Sequence, residues 1–269
     1  MKNPISSLSI VLPTLNEKEN LEILIPSILE KLASLKIEKY EILIVDDGSE
    51  DGTHQYIEQY NLIDKNVKLL LRNDQKSLPK SIFYGIKNSI SEYVMWLDAD
   101  GSMDASAVKK LIIEVNKKPE SVFVGSRFIQ GGGYKGQDEE QRLNIFEYIK
   151  KISNSEDSIL AILLSKYFNK FIGSLLNIGI KDLTSGFIIG KREYFLNKEV
   201  FLNAIYGEYF IYLMKDLSLK NINTVEIPYF CKPRLTGYSK TSKNYLSLLK
   251  LSVPYIKAAL KGKNVKNIR

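Results

Sequence analysis

The chain has 269 residues, 44% of them apolar, and a formal net charge of +7, a size that accommodates one large α/β domain or two small ones around a sizeable core. Its single cysteine, Cys231, excludes an internal disulfide and fits a reducing compartment; its single histidine, His54, excludes a His-based metal cluster and argues against a Ser-His-Asp triad. No window approaches ~18 uninterrupted apolar residues, so a transmembrane helix is not expected, and the N-terminal stretch is interrupted too soon for a signal peptide.

Strands and helices alternate from the start. SLSIVLP (7–13) reads as a strand, and 16–34 as an amphipathic helix with Glu17 and Glu19 near its positive end. YEILIVD (40–46) is a second strand; His54 falls on a surface helix after a glycine turn, and VKLLL (67–71) is a third strand. A helix over 77–89 follows, then a strand YVMWLD (93–98), a helix over 104–116 and a strand SVFVGSR (121–127). This order predicts right-handed βαβ units and a mainly parallel sheet flanked by helices. The alternation stops near Ile129. Beyond it lie a glycine-rich loop (131–136), a polar stretch (137–158) and an apolar segment (159–180), which suits either a core helix or the wall of an apolar acceptor groove.

Two stretches carry the chemistry, LIVDDGSEDGT (43–53) and MWLDADGS (95–102). Each is an apolar run broken by carboxylates and glycine, as a buried strand does when it delivers its C-terminal end into a loop. Ligands of open α/β sheets bind at that edge. Asp46, Asp47, Asp98 and Asp100 are therefore expected at one rim, where their mutual repulsion calls for a cation or hydrogen-bond donors. Oxygen ligands of this kind suit Mg²⁺ or Mn²⁺ held jointly with substrate phosphates, so the pair of motifs points to a nucleotide site.

The charge is uneven. From Lys232 to Arg269 there are ten Lys or Arg residues and no acid, whereas the first 231 residues carry 28 bases and 31 acids. A basic tail suits an anionic membrane surface or substrate phosphates; it has no nucleic-acid reading module, so nucleic acid is not expected as a partner. Within the tail, 245–263 interleaves Leu, Val, Ile and Tyr with lysines. Two readings stay open there, a helix lying in the membrane interface and a helix packed on the domain with a solvated lysine face.

Six segments in this order, PTLNEKENL (13–21), VDDGSEDGT (45–53), LDADGS (97–102), GSRF (125–128), KDLTSGF (181–187) and RLTGYSK (234–240), resemble the family 2 GT-A glycosyltransferases, and among them the dolichol- or polyprenol-phosphate mannose synthases. The resemblance implies a GT-A domain over 1–240, with an acceptor loop and helix insertion at 129–180, and a basic amphipathic tail over 241–269. It implies an inverting, metal-dependent transfer of a hexose, mannose first, from a nucleotide-sugar donor to a polyprenyl or dolichyl phosphate. The enzyme would be cytoplasmic and peripheral at the cytoplasmic face of a membrane. Pro13, Leu15, Glu17, Val45, Asp47, Asp98 and Ala99 would hold the nucleotide-sugar. Asp98, Asp100 and Ser102 would lie at the metal, and Ser165 and Lys166 at the acceptor phosphate. Asp100, Arg127, Arg234 and Lys240 would carry catalysis, because cations aimed at a diphosphate leaving group stabilise the charge it gathers.

An ionised phosphate acceptor attacks without a general base, which fits a site rich in Arg and Lys. Several positions depart from the family pattern. Leu15 replaces a frequent tyrosine, Ser102 a frequent glutamine and Ala161 an arginine, for which Lys166 or Arg142 can substitute; Ser77-Leu78-Pro79 replaces Gly-Leu-Gly, and a Gln-x-Glu near 210 is absent. These touch sugar and acceptor specificity. The alternatives are a family 2 transferase using glucose, GlcNAc or another sugar on a lipid or polysaccharide acceptor, and a degenerate nucleotide- or membrane-binding protein.

Overall fold

In the computed structural model, which describes residues 5–37, 39–133, 159–232 and 253–261 (159–164 as backbone alone), the expected alternation is present. β1 (Leu8–Thr14), α1 (Lys18–Ser34), β2 (Tyr40–Asp46), α2 (Thr53–Ile63), β3 (Val67–Leu71), α3 (Leu78–Asn88), β4 (Tyr93–Trp96), α4 (Ala105–Lys117) and β5 (Val122–Ser126) follow in order. α1 buries Leu21, Leu24, Ile25, Ile28 and Leu32, the three-to-four spacing of a single helical stripe. α4 starts where the Asp104 carboxylate accepts a hydrogen bond from the Ala107 N–H at 3.0 Å. Past 129 the described elements are α5 (Ile159–Leu176), β6 (Ile188–Lys191), a 3₁₀ turn (Arg192–Phe195), α6 (Lys198–Leu202), α7 (Tyr209–Leu219), β7 (Thr224–Pro228) and a helix over 253–261, α8.

Among the described residues the strands form one sheet in the order β3-β2-β1-β4-β6-β5-β7. β1 pairs in parallel with β2 and β4, β2 with β3, and β5 with β7; β6 is antiparallel to both of its neighbours. The chain steps outward from β1 to β2 and β3, then returns to place β4 on the other side of β1. The gap between β1 and β4 is therefore the topological switch point, where an open sheet leaves a crevice.

Alternate residues of β1 supply two cores. Ile10 and Leu12 join the cluster under α1 and α4, and Val11 joins the opposite cluster with Val45, Trp96, Phe201 and Phe210. Ala258 and Ala259 of α8 are fully buried in that second cluster, so this part of the basic tail is packed on the domain. Lys257 and Lys261 on the same helix are exposed.

Candidate active site

The C-terminal edge of the sheet opens into a cleft of about 290 Å³ at the switch point. The end of β1 contributes Pro13, Thr14, Leu15 and Glu17; the end of β2 contributes Asp47; the end of β4 contributes Asp98, Ala99 and Asp100. Six of the seven residues expected to hold the nucleotide-sugar thus share one cavity. Val45 does not: it is fully buried and packs in the core cluster with Ile82 and Ile86 of α3, because it is the inward side chain of a strand covered on both faces.

Asp46 departs from the expected rim. Its carboxylate is fully buried and turned into its own loop, accepting the N–H of Gly48 and of Ser49 at 2.8 Å each and the Ser49 hydroxyl at 2.5 Å; His54 Nε2 lies 2.7 Å away. His54 is thus more than a surface residue, since it braces this turn from the start of α2. The Ser49 hydroxyl in turn accepts the Asn16 N–H at 2.7 Å, and the Asn16 side chain accepts the Glu50 N–H at 2.8 Å, so the loops after β1 and β2 are clasped together. Asp47 alone of this pair reaches the cleft. One of its oxygens forms an ion pair with Arg72, and the other accepts the Ser77 N–H at 2.7 Å.

No motif of the sequence marks Arg72 or the cleft residues Lys76, Ile205 and Tyr206; Ser77 and Leu78, where the sequence departs from Gly-Leu-Gly, line the cleft with the last three. The available signal for Arg72 was its place directly after β3, on the same carboxyl edge as the acidic motifs.

The turn at Asp98-Ala99-Asp100 is closed by Gly101, whose φ of +77° places it in the left-handed region. The Ser102 N–H donates to Asp100 Oδ1 at 2.9 Å. Ser102 is itself buried and does not line the cleft, so what the structure places at Asp100 is its backbone N–H. Among the described residues no group of three or more His, Cys, Asp or Glu side chains is assembled as a metal site. Asp98 and Asp100 in one cleft fit a hard cation that takes one or two protein carboxylates and completes its shell with phosphate oxygens and water. Behind the turn, Trp96 Nε1 of β4 donates to the Tyr209 hydroxyl at 3.0 Å, and burial pushes that phenol well above its usual range, so it stays neutral.

Arg127, at the end of β5, is held by Asp182: its backbone N–H and Nε reach Oδ2 at 2.9 and 2.8 Å, and an Nη reaches Oδ1 at 2.8 Å. The same guanidinium donates to Thr184 Oγ1 at 3.1 Å, and that hydroxyl also receives the Asn169 amide at 3.1 Å. Asn169, fully buried on α5, further donates to the Ser165 carbonyl at 2.8 Å. Glu226 of β7 accepts the Lys181 and Asp182 N–H groups at 2.9 and 3.0 Å. The KDLTSGF segment is therefore a polar lattice that fixes Arg127 relative to the helix bearing Ser165 and Lys166. Those two residues do not line the cleft itself. Arg234, Lys240 and Arg142 lie outside the described residues.

Comparison with known proteins gives the family and the fold. Residues 9–197 match the model of Glycosyl transferase family 2, and the chain belongs to that family. It is 30% identical over 232 residues to a dolichol-phosphate mannosyltransferase of Pyrococcus furiosus, covering 86% of this chain and 58% of that protein. It is 26% identical over 242 residues to a polyprenol monophosphomannose synthase of Mycolicibacterium smegmatis, covering 87% and 80% respectively. The chain thus spans under two thirds of the first of these relatives. In fold it is similar to glucosyl-3-phosphoglycerate synthase of Mycobacterium tuberculosis, solved with Mn²⁺, UDP and phosphoglyceric acid, at 14% identity and a TM-score of 0.60 over 98% of this chain and 80% of that one. The mostly parallel sheet and its glycosyltransferase neighbours agree with the GT-A architecture expected from the motifs.

Proposed function

We propose that the chain transfers a hexose, mannose in the first instance, from a nucleotide-sugar to a polyprenyl phosphate with inversion at the anomeric carbon. The observation that carries this reading is the convergence of Pro13, Leu15, Glu17, Asp47, Asp98, Ala99 and Asp100 on one cleft at the switch point, in a chain whose relatives bear polyprenol- and dolichol-phosphate names. An oxygen of the acceptor phosphate attacks the anomeric carbon, forming the new C–O bond. The bond to the nucleoside diphosphate breaks, and its electron pair leaves with that group. The acceptor is already ionised at neutral pH, so no proton need be removed.

Asp98 and Asp100 would hold the Mg²⁺ or Mn²⁺ ion, which when bound supplies positive charge beside the leaving diphosphate. Arg127, held by Asp182, serves the phosphate side of the reaction, with Ser165 and Lys166 on the adjoining helix, and Arg234 and Lys240 are assigned to the same role. Residues 1–240 form the catalytic domain. The 241–269 tail brings the enzyme to an anionic membrane surface at its cytoplasmic face, where the lipid acceptor resides. Among the described residues no helix is long and apolar enough to cross a membrane.

The test is transfer from GDP-mannose, UDP-glucose and UDP-GlcNAc to short polyprenyl phosphates. The reading expects mannosyl transfer in the presence of Mg²⁺ or Mn²⁺, with a β-linked product by NMR from the α-linked donor. Transfer to saccharide acceptors alone would overturn it.

A further inference from the structure

We propose that Tyr255, far along the basic tail, is a positioning residue of the donor cleft: α8 seats its hydroxyl on Gly207, and this seat holds the turn from which Ile205 and Tyr206 line the cleft. The inference deepens the donor-site reading above and rests on it.

The contact at Gly207 is closer than any other residue type allows. A Cβ built there would lie 2.1 Å from the Tyr255 hydroxyl oxygen and 3.1 Å from its Cζ. The tyrosine has little freedom to yield. Its ring meets Phe168 of α5 edge-on at 6.1 Å and 78°, and Ala258 and Ala259, on the next turn of α8, are fully buried. A side chain at residue 207 would therefore displace the turn rather than the helix.

The turn is drawn tight from its other side. The buried Glu208 carboxylate accepts the Ile205 N–H at 2.6 Å and the Tyr206 N–H at 2.9 Å. Those two residues share the cleft with Asp98 and Asp100, yet Ile205 is 76% exposed, an orientation that the local clasp imposes against its apolar character. The next residue, Tyr209, is bonded to Trp96 on the strand that delivers Asp98. The turn is thus fixed to β4 on one side and to α8 on the other. Burial pushes the Tyr255 hydroxyl well up, and Tyr206 and Glu208 of the same turn add to this while Arg127 opposes it.

A glutamate in this neighbourhood of a transferase site invites assignment as a base. Here both of its oxygens are engaged by backbone N–H groups, which makes Glu208 part of the clasp. The tail consequently does more than approach a surface: Tyr255, on one turn of it, buttresses the Gly207 turn behind the part of the cleft wall that Ile205 and Tyr206 form.

The test uses the full chain and calorimetric titration with GDP-mannose and UDP-glucose in Mg²⁺, without lipid or acceptor. Gly207→Ala should weaken binding of the preferred donor by about ten- to a hundred-fold, the scale of a misplacement near 1 Å. Adding Tyr255→Phe, which removes the atom the new methyl meets, should restore most of that loss. If Gly207→Ala does not fold, Tyr255→Leu fills the space beside Phe168 without the hydroxyl; it should weaken donor binding in the same titration and, in turnover assays with a polyprenyl phosphate added, raise the donor KM more than it lowers kcat. Wild-type donor affinity in the single variants, or a lowered Tm with unchanged affinity, would mean that Tyr255 only packs. Failure of the unaltered chain to bind either nucleotide-sugar would instead overturn the donor site itself, and this inference with it.

Discussion

Arg72, the first residue after β3, closes an ion pair with Asp47, the first residue after β2, and both side chains are almost fully enclosed, at 3% and 7% exposure. The arginine also donates to Ser81 Oγ at 2.9 Å and to the Gln75 carbonyl at 3.3 Å, so its fork is occupied on several sides. Asp47 therefore faces the cleft in a fixed orientation. Removing one partner of a buried pair leaves an uncompensated charge and costs about 3–5 kcal/mol. Arg72→Ala should lower the melting temperature and weaken nucleotide binding together. Arg72→Lys keeps the charge but not the planar fork and should fall between the two. Thermal unfolding with and without nucleotide separates these effects; unchanged nucleotide affinity in Arg72→Ala would remove Asp47 from the donor site.

Asp98 and Asp100 enter one cleft from one turn, with Asp100 oriented by the Ser102 N–H. Loss of an electrostatic contact to developing charge lowers turnover by about 100- to 1,000-fold. Asp100→Asn should show a loss of that size with little change in melting temperature, and EDTA should abolish wild-type activity until Mg²⁺ or Mn²⁺ is restored. Full activity of Asp100→Asn in excess EDTA would sink the metal assignment.

The first five strands and their helices were legible because each is a long apolar run or stripe ended by a turn signal; β2 and β3 match their expected bounds, and the others differ by one or two residues. β6 and β7 were not legible. β6 is the four residues IIGK, too short for a period of two to register, and β7 is a half-buried edge strand, TVEIP, with no apolar run. The acidic motifs point to the cleft at the sheet edge, since strand-end carboxylates need little beyond local chain direction to be placed. Sequence could not separate Asp46 from its neighbour: whether a carboxylate faces the cleft or its own loop depends on donors such as Ser49 and His54. Tyr206 reaches the cleft, and Tyr255 the turn behind it, through packing between elements distant in the chain, which no local pattern records.

Asp182 holds Arg127 by both carboxylate oxygens, and Glu226 in turn holds the loop carrying Asp182. Asp182→Asn keeps one acceptor and loses the paired charge, so the guanidinium should lose its fixed direction. The expected signature is a KM for the lipid phosphate raised about tenfold or more, at a donor KM changed far less, because charge-assisted bidentate contacts fix geometry as well as energy. Steady-state kinetics with each substrate varied in turn would tell. An equal rise in both constants would point to general loosening of the sheet end.

Glu41 lies almost fully buried between β1, β2 and β3, accepting the Ser9 hydroxyl at 2.6 Å, the Ile90 N–H at 2.9 Å and Lys68 Nζ at 2.9 Å. Burial pushes its carboxyl up, but Ser9, Ile90 and Lys68 outweigh this and hold it below the ordinary value of 4.5. A group depressed in the folded state contributes stability above its unfolded pKa and loses it as pH falls through the folded value. The melting temperature should therefore decline as pH drops below 4.5. Glu41→Gln should be less stable at neutral pH and show a shallower decline in that acidic window. A pH profile parallel to wild type would assign acid sensitivity to other carboxylates.

The exposed side of α8 carries Val253, Ile256 and Leu260, at 45%, 36% and 52% exposure, beside exposed Lys257 and Lys261. Their spacing is that of one helical stripe, while Ala258 and Ala259 anchor the opposite side. α5, which meets α8 through Phe168 and Tyr255, adds exposed Tyr167 and Phe171 with Lys166 and Lys170. Apolar side chains ringed by lysine suit the headgroup region of an anionic bilayer, where each cation contributes ~1 kcal/mol. The full chain should co-sediment with vesicles containing anionic lipid, less with neutral ones, and progressively less as salt screens the lysines. Val253→Asp with Leu260→Asp should reduce binding by removing interfacial burial, and Lys257→Glu with Lys261→Glu by reversing the charge. Neither pair touches the alanine side, so folding should be retained. Equal sedimentation of wild type and both pairs, or none by any, would leave α8 as a packed helix with a solvated lysine face.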